Sequence, residues 1–410
     1  MNMLKKVLFV SFLFSFSIPV MAEATTLTEA ITGGDAHLNF RYRLEQVDQK
    51  DFSKDALAST LRTRLNYKTD SLNGFKLFIE FDDVTYLGND KFNSSRNGQT
   101  SYPVIADPDG TDINQVLIEY TGHDTSLYLG RQRLNLDNQR FIGGVAWRQN
   151  EQTYDAFTIQ NSTIRNTTLK YNYVSKVQRI FGPDDGSPQK EFDSDTHLLN
   201  AKINFDTLGS VVLYGYLMDL ESAPTSSCVP GNCASNRTLG FRYTNNFDFA
   251  SFKVPLNIEY ARQDDYADNP LSYRADYILG EVGLTFDKFR ILLGNEILKG
   301  DDKAGTGFQT PLATLHKFQG WADKFLSTPA TGIDDRYLTI GTNWKKAAFM
   351  LTFHDLSSDT TSSNYGTECN ASVNVKINKN YSLLFKYASY DADELFTDTK
   401  KGWIMFTAKF

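Results

Sequence analysis

HLNFRYRLE, residues 37–45, carries the period that decides the fold. Leu38, Phe40, Tyr42 and Leu44 fall on one side of this stretch, and Asn39, Arg41, Arg43 and Glu45 on the other. That alternation is the signature of a β-strand, whose successive side chains point to opposite faces. The next two runs repeat it. LRTRLNYK sets Leu61, Thr63, Leu65 and Tyr67 against Arg62, Arg64, Asn66 and Lys68. FKLFIEFDD sets Phe75, Leu77, Ile79 and Phe81 against Lys76, Glu80 and Asp82. Helical periodicity is nearly absent from these stretches.

Working outward, about eighteen such segments follow one another, starting near Ala36, Thr60, Phe75, Ile113, Ser126, Tyr154, Thr168, Leu198, Ser210, Arg237, Lys253, Tyr277, Phe289, Arg336, Ala348, Ala371, Ser382 and Gly402. Each is near the nine to eleven residues with which a tilted strand crosses a bilayer. The links sort by length. After even-numbered segments they are short, such as DSLNG, DTLG and INKN. After odd-numbered ones they are usually long and polar, such as ESAPTSSCVPGNCASN and the stretch from Gly300 to Asp334. Short turns on one side, long loops on the other and an even strand number describe an outer-membrane barrel. Of the ten prolines after residue 22, nine fall in the proposed long loops and only Pro255 enters a strand. A proline inside a strand removes a ladder hydrogen bond that lipid cannot replace.

The ends agree with this architecture. Residues 1–22 have a secretory-signal layout: Lys5 and Lys6, an apolar run from Val7 to Val20, and a small-residue cleavage site at Ala22. The expected organisation is a signal peptide over 1–22 and one barrel domain over 23–410. The last residues, GWIMFTAKF, alternate through Ile404, Phe406, Ala408 and Phe410. A last strand closed by phenylalanine resembles the C-terminal signature of bacterial outer-membrane proteins, which implies recognition of Phe410 by the barrel assembly machinery.

Composition narrows the function. The net charge of −7 becomes −9 once the two lysines of residues 1–22 are removed, a poor balance for nucleic acid. Mean hydropathy is −0.39, yet aromatic residues make up 13% of the chain. A barrel reconciles the two, because only alternate strand residues face lipid and aromatics gather at the interfaces. Cys228 and Cys233, in SSCVPGNCASN, are disulfide candidates in a secreted context. Cys369 has no sequence partner.

Eighteen strands leave a lumen too wide for side chains to fill. The expected fold is therefore all-β, a transmembrane antiparallel barrel around a water-filled pore whose selectivity depends on inward charge. Arg41, Arg43, Arg62 and Arg64 fall on the polar faces of the first two strands, and Lys68 and Lys76 extend the basic wall onto the third. Lys170, Lys202, Arg242, Lys376 and Lys386 follow farther along. Glu80, Asp82, Glu119, Asp155, Glu259, Glu281 and Glu296 supply the opposite sign. One reading makes the arginines a field that passes anions; the other pairs them with inward acids to stiffen the wall.

The segment LGRQRLNLDNQRFIGGVAWRQNEQTYDAF, residues 129–157, and FQTPLATLHKFQGWADKF, residues 308–325, resemble motifs of alginate-export-like outer-membrane porins. The resemblance implies an eighteen-stranded barrel with an arginine-lined lumen that passes negatively charged polysaccharide. It also implies that Arg131, Arg133, Arg140 and Arg148 stand near the channel constriction. In the second segment, Leu312, Leu315, Phe318, Ala322 and Phe325 recur at roughly helical spacing, which predicts a short amphipathic helix. It would either constrict the lumen, where Phe318 and Trp321 offer flat faces to sugar rings, or pack on the barrel rim.

The five histidines occur singly, without a metal-ligand spacing, and no nucleophile motif is present. Asp264-Asp265 and Asp334-Asp335 read as solvated loop charge or loose cation sites. The expectation is a non-enzymatic, cofactor-free porin in outer-membrane lipid, passing small anionic or sugar-like solutes, with a homo-oligomer open. The alternative is a surface binding or adhesion barrel with a plugged lumen.

Overall fold

The computed structural model describes residues 23–221 and 233–410. The proposed signal peptide and Cys228 lie outside these residues. A short helix, α1 (Leu27–Thr32), begins on the Thr26 side chain, which accepts from the Glu29 amide. Eighteen long strands follow: β1 (Asp35–Gln49), β2 (Ala56–Lys68), β3 (Phe75–Lys91), β4 (Gly110–Gly122), β5 (Thr125–Gln132), β6 (Thr153–Asn161), β7 (Thr167–Gln178), β8 (Glu191–Asn204), β9 (Ser210–Met218), β10 (Asn236–Asp248), β11 (Lys253–Asp265), β12 (Arg274–Phe286), β13 (Phe289–Leu298), β14 (Ile333–Trp344), β15 (Ala347–Ser357), β16 (Asn364–Lys376), β17 (Tyr381–Ala392) and β18 (Thr399–Lys409). Each pairs antiparallel with its sequence neighbours, and β18 pairs back onto β1 from Asn39↔Lys409 to Gln49↔Thr399. The sheet is a closed cylinder without a free edge, which satisfies its backbone groups in lipid.

Alternation sorts the side chains as the sequence predicts. Leu65, Leu77, Leu129, Leu199, Leu213, Leu239 and Leu293 are exposed on the outside, while Arg43, Arg64, Asn172, Gln263 and Glu296 are buried inside. Aromatic pairs gather at the short-turn rim, including Phe286 with Phe289, Phe249 with Phe252, and Phe406 and Phe410 against Tyr381. Phe410 also exchanges backbone hydrogen bonds with Leu38. Pro255 lies near the start of β11, where the ladder to β12 jumps from Lys253↔Thr285 to Leu256↔Val282. The proline is accommodated by breaking the ladder locally.

Three long loops turn inward. Residues 92–109 pack Phe92 and Ile105 against Val47, Ala56 and Ala58. Residues 133–152 and 299–332 meet inside the barrel, where Phe141, Phe308 and Leu312 are buried among Tyr214, Tyr216 and Tyr277 of the wall. The two loops touch through an Ile142–Leu312 bridge and a hydrogen bond from Gly143 N to Leu312 O. A Cβ on Gly143 would collide with the Thr314 hydroxyl, so only glycine permits this approach. The amphipathic helix expected across residues 312–325 is not formed. Only a single 3-10 turn, Leu315–Lys317, is present, and the apolar side chains reach the wall from irregular backbone instead.

Candidate functional site: the arginine network and the narrowed lumen

β1 and β2 place Arg41, Arg43, Arg62 and Arg64 on one inner wall, with Arg41 directly opposite Arg62 in the ladder. The loops bring the groups that meet them. Arg41 donates to Gln149 Oε1 at 2.9 Å, to Ala146 O at 2.7 Å and to Arg148 O, and touches no carboxylate. Arg43 donates to Asp107 at 3.0 Å and lies 4.3 Å above the Trp147 ring. Arg64 holds Asp82 at 2.6 Å and Glu151 at 2.8 Å, and Arg62 lies 3.6 Å from Glu151. Arg133 also bonds Glu151, along with Glu80 at 3.2 Å. Burial raises the Glu151 carboxyl, but Arg64, Arg133 and Arg62 outweigh it and hold the group far below the usual carboxylate range.

Arg148 crosses the lumen. It bonds Glu45 of β1 at 3.2 Å and Asp323 of the other inward loop at 3.1 Å. Asp323 in turn meets Lys401 of β18 at 2.8 Å and His316 Nδ1 at 2.6 Å. Around this anion stand three tryptophans. Trp147 stacks on His316 at 4.4 Å and meets Trp403 edge-on. The Lys386 ammonium sits 3.6 Å from the Trp321 ring, 4.1 Å from that of Trp147 and 2.6 Å from His316 Nε2. Farther round, Arg140 bonds Glu296 at 2.9 Å and lies 4.7 Å over Phe318. Arg242 bonds Glu259 at 2.6 Å, and Glu259 also accepts from the Tyr214 hydroxyl.

The predicted residues therefore divide into three groups. Arg41, Arg43, Arg62, Arg64, Arg133, Arg140, Arg148, Arg242, Phe318 and Trp321 face inward and anchor loops or pair with inward acids. Lys76 and Lys202 keep inward register, opposite Glu119 and Thr168, and neither has a hydrogen bond or ion pair among the described residues. Arg131 stands apart, although it lines one polar cleft with Asp82, Asn150 and Glu151. It is one residue out of step with buried Gln132, shares the outward parity of Leu129, and bonds Asp155 at 2.8 Å and Ile113 O at 3.2 Å. The reason is that β5 ends at Gln132, so Arg131 bridges β4 and β6 where the wall loses a strand.

Two acid pairs also read differently in space. Asp334 and Asp335 lie on a strand and so face opposite sides. Asp334 bonds Arg336 outside, and Asp335 meets His354 at 2.9 Å inside. Asp264 lies between Arg237 and Arg274, whereas Asp265 caps the Tyr273 amide. Cys233 is disulfide-bonded, and Cys369 is the free cysteine among the described residues. Sequence reasoning missed the loop acids Asp107, Glu151 and Asp323. The one available signal was that WRQNEQ places Glu151 beside arginines that need a counter-charge.

The His316 latch makes pH a test of loop attachment. Burial, with Lys386 and Arg148, drives the His316 imidazole well below its ordinary value against the pull of Asp323. The neutral ring lets Nε2 accept from Lys386 while Nδ1 donates to Asp323. Burial raises the Asp323 carboxyl, but His316, Lys401 and Arg148 hold it well below the usual range. A base depressed on folding gives full stability above its unfolded pKa of about 6.5 and loses it as pH falls. A depressed carboxylate loses its contribution only below about 4. Between pH 6.5 and 4.5, tryptic cleavage after Lys317 and Lys324 should accelerate, and H316Q should flatten that dependence.

Residues 35–228 match the alginate export family. None of the curated proteins matches the chain in sequence. Among solved structures, Acinetobacter baumannii OccAB4 superposes with a TM-score of 0.71 at 14% identity, covering 92% of this chain and 98% of that one. Pseudomonas aeruginosa OpdK with vanillate gives 0.70 at 11% identity over 93% and 99%. The P. aeruginosa outer membrane protein opdK gives 0.69 at 12% identity over 92% and 98%. At such identities the likeness is one of fold. Joined to the closed eighteen-stranded wall, it makes this chain a multi-pass β-barrel of the bacterial outer membrane, similar over residues 35–228 to the alginate export family.

Proposed function

We propose that the chain is a passive aqueous channel favouring anionic solutes, acidic, alginate-like oligosaccharides among them. The observation that carries this reading is a division of labour among inward cations. Most of the arginines are neutralised while holding the loops, whereas Lys76, Lys170 and Lys202 make no ion pair among the described residues, with Glu119 opposite Lys76 in the ladder and Asp137 acting on the other two from the inward loop. Glu259, Glu281, Glu296 and Glu368 lie on the other side of the barrel, on β11, β12, β13 and β16. An anion passing the lysine side meets a favourable field that a cation does not. That OpdK is seen with vanillate, a small carboxylate, accords with this. Passive diffusion needs no chemistry from the wall, and the ladder-bound Phe410 fits recognition by the assembly machinery.

The test is the reversal potential of purified protein in planar bilayers under a KCl gradient. An anion-selective value is expected, and cation selectivity would reverse the assignment. The depth of the loop packing favours the second reading, a binding or adhesion barrel with a closed lumen. Deleting residues 305–331 separates the two. A channel should gain conductance several-fold, whereas an adhesin should lose surface binding.

A further inference from the structure

At the long-loop rim, the outward face of β10–β12 carries an arginine patch that the lumen does not use. Arg237, Arg262 and Arg274 each stand between two strand neighbours buried on the inner side: Asn236 and Thr238, Ala261 and Gln263, Tyr273 and Ala275. Alternation therefore turns all three guanidiniums out of the barrel. The ladder sets them in two adjoining rows. Arg237 and Arg274 flank Asp264 in one, and Arg262 faces Asp276 in the other, where the Lys299 amide bonds the Asp276 carbonyl. With rows two residues apart and strands about 4.8 Å apart, the cluster measures roughly 10 by 7 Å.

The ion pairs here are lopsided. The Asp264 and Asp276 side chains are 19% and 22% exposed, whereas those of Arg237, Arg262 and Arg274 are 47%, 49% and 67% exposed. The acids lie underneath and the cations on top. Arg274 reaches Asp264 through Nε alone, at 2.7 Å, so neither Nη has a hydrogen bond among the described residues. Asp301 and Asp359 of the adjoining loops are turned to the Arg274 and Gly300 amides. Toward the short turns the same face becomes apolar at once, through Leu239, Phe241, Ile258 and Ile278. Tyr260 marks the boundary, its hydroxyl donating to Asp276 and accepting from Arg262. Elsewhere on this rim the outward face carries exposed acids, such as Asp195, Asp355 and Asp391.

Long loops face the outside of the cell, so the patch stands at the level of the outer-leaflet headgroups. Guanidinium forks above an apolar belt match a ligand with phosphates at one end and acyl chains below. We propose that the outward face of β10–β12 binds a phosphorylated, multiply acylated glycolipid of the lipid A type. Its phosphates are held by Arg237, Arg262 and Arg274, and its chains lie along Leu239, Ile258 and Ile278. The site is independent of whether the lumen conducts.

The experiment is native mass spectrometry of the detergent-solubilised full chain, titrated with lipid A carrying both phosphates or with the same lipid stripped of them. The phosphorylated form should be retained in preference. R262Q should weaken its retention about tenfold, as the loss of one charge-assisted hydrogen bond does. R237Q, R262Q and R274Q together should weaken it roughly a hundredfold or more. The stripped lipid should bind all variants alike, which shows the barrel intact. R262K should recover part of the loss, and R290Q, beside the short β12–β13 turn, should bind as the unmodified chain does. Equal retention of the two lipids, undiminished retention by the triple variant, or the same loss in R290Q would overturn the site. So would a dimer mass that the triple variant abolishes, since the patch would then belong to a second copy of the chain.

Discussion

Replacing Glu151 by alanine should release residues 133–152 from the wall. This carboxylate is shared by Arg64, Arg62 and Arg133, and all four groups are largely removed from water. Removing one partner of a buried pair leaves uncompensated charge and costs about 3–5 kcal/mol. Here one deletion leaves Arg62 without a carboxylate and leaves Arg64 and Arg133 to Asp82 and Glu80 alone. The opening equilibrium of the loop should rise by roughly two to three powers of ten. Trypsin cleavage after Arg140 and Arg148 in intact barrels reads it directly, and single-channel current should become larger and noisier. Unchanged cleavage would mean that Ile142, Phe141 and the backbone contacts hold the loop without its charges. E151Q, which keeps shape and some hydrogen bonds, should fall between the two.

Asp323→Ala should have a comparable effect on the other inward loop. Asp323 is the anion on which Arg148, Lys401 and His316 converge. Without it, Lys401 and His316 face the Lys386 ammonium inside the tryptophan cluster with no acid bonded to them, and Arg148 keeps only Glu45 and Asp107 on the wall side. Residues 299–332 should detach, with cleavage after Lys317 and Lys324 accelerated by about two powers of ten or more. Because Arg148 belongs to the first loop, D323A should also loosen residues 133–152, more weakly. Combining E151A with D323A should give less than the summed effect, since the two networks share loops. Strict additivity would show that the loops move independently.

The barrel was legible in the sequence for a reason visible strand by strand. The expected starts of the upward strands match to within a residue: Ala36 for β1, Phe75 for β3, Ser210 for β9 and Phe289 for β13. At the short-turn side the lipid boundary lies close to the turn, so alternation begins where the strand begins. The downward strands start earlier than expected, β8 at Glu191 rather than Leu198 and β16 at Asn364 rather than Ala371. Their first residues stand beyond the apolar belt, where the outward face need not be apolar, and the period-two signal disappears. The inward faces of Arg41 to Arg64 were legible too. Their partners were not, because Asp107, Glu151 and Asp323 belong to irregular loops whose path no periodicity encodes. The end of β5 just beyond Arg131 was not legible either, because motif spacing does not reveal where a strand stops.

The inward loops do not hold the wall evenly. Arg41, Arg43 and Glu45 belong to β1, Lys401 and Trp403 to β18, and Lys386 to β17. These strands flank the junction where the two ends of the chain meet. Sequence-distant pairing is slow to form because a long chain must close first. The inward loops therefore work as a staple across the zip of the cylinder. Loosening them weakens the place where the cylinder would reopen, so loop freedom and endurance in this molecule rise and fall in opposition.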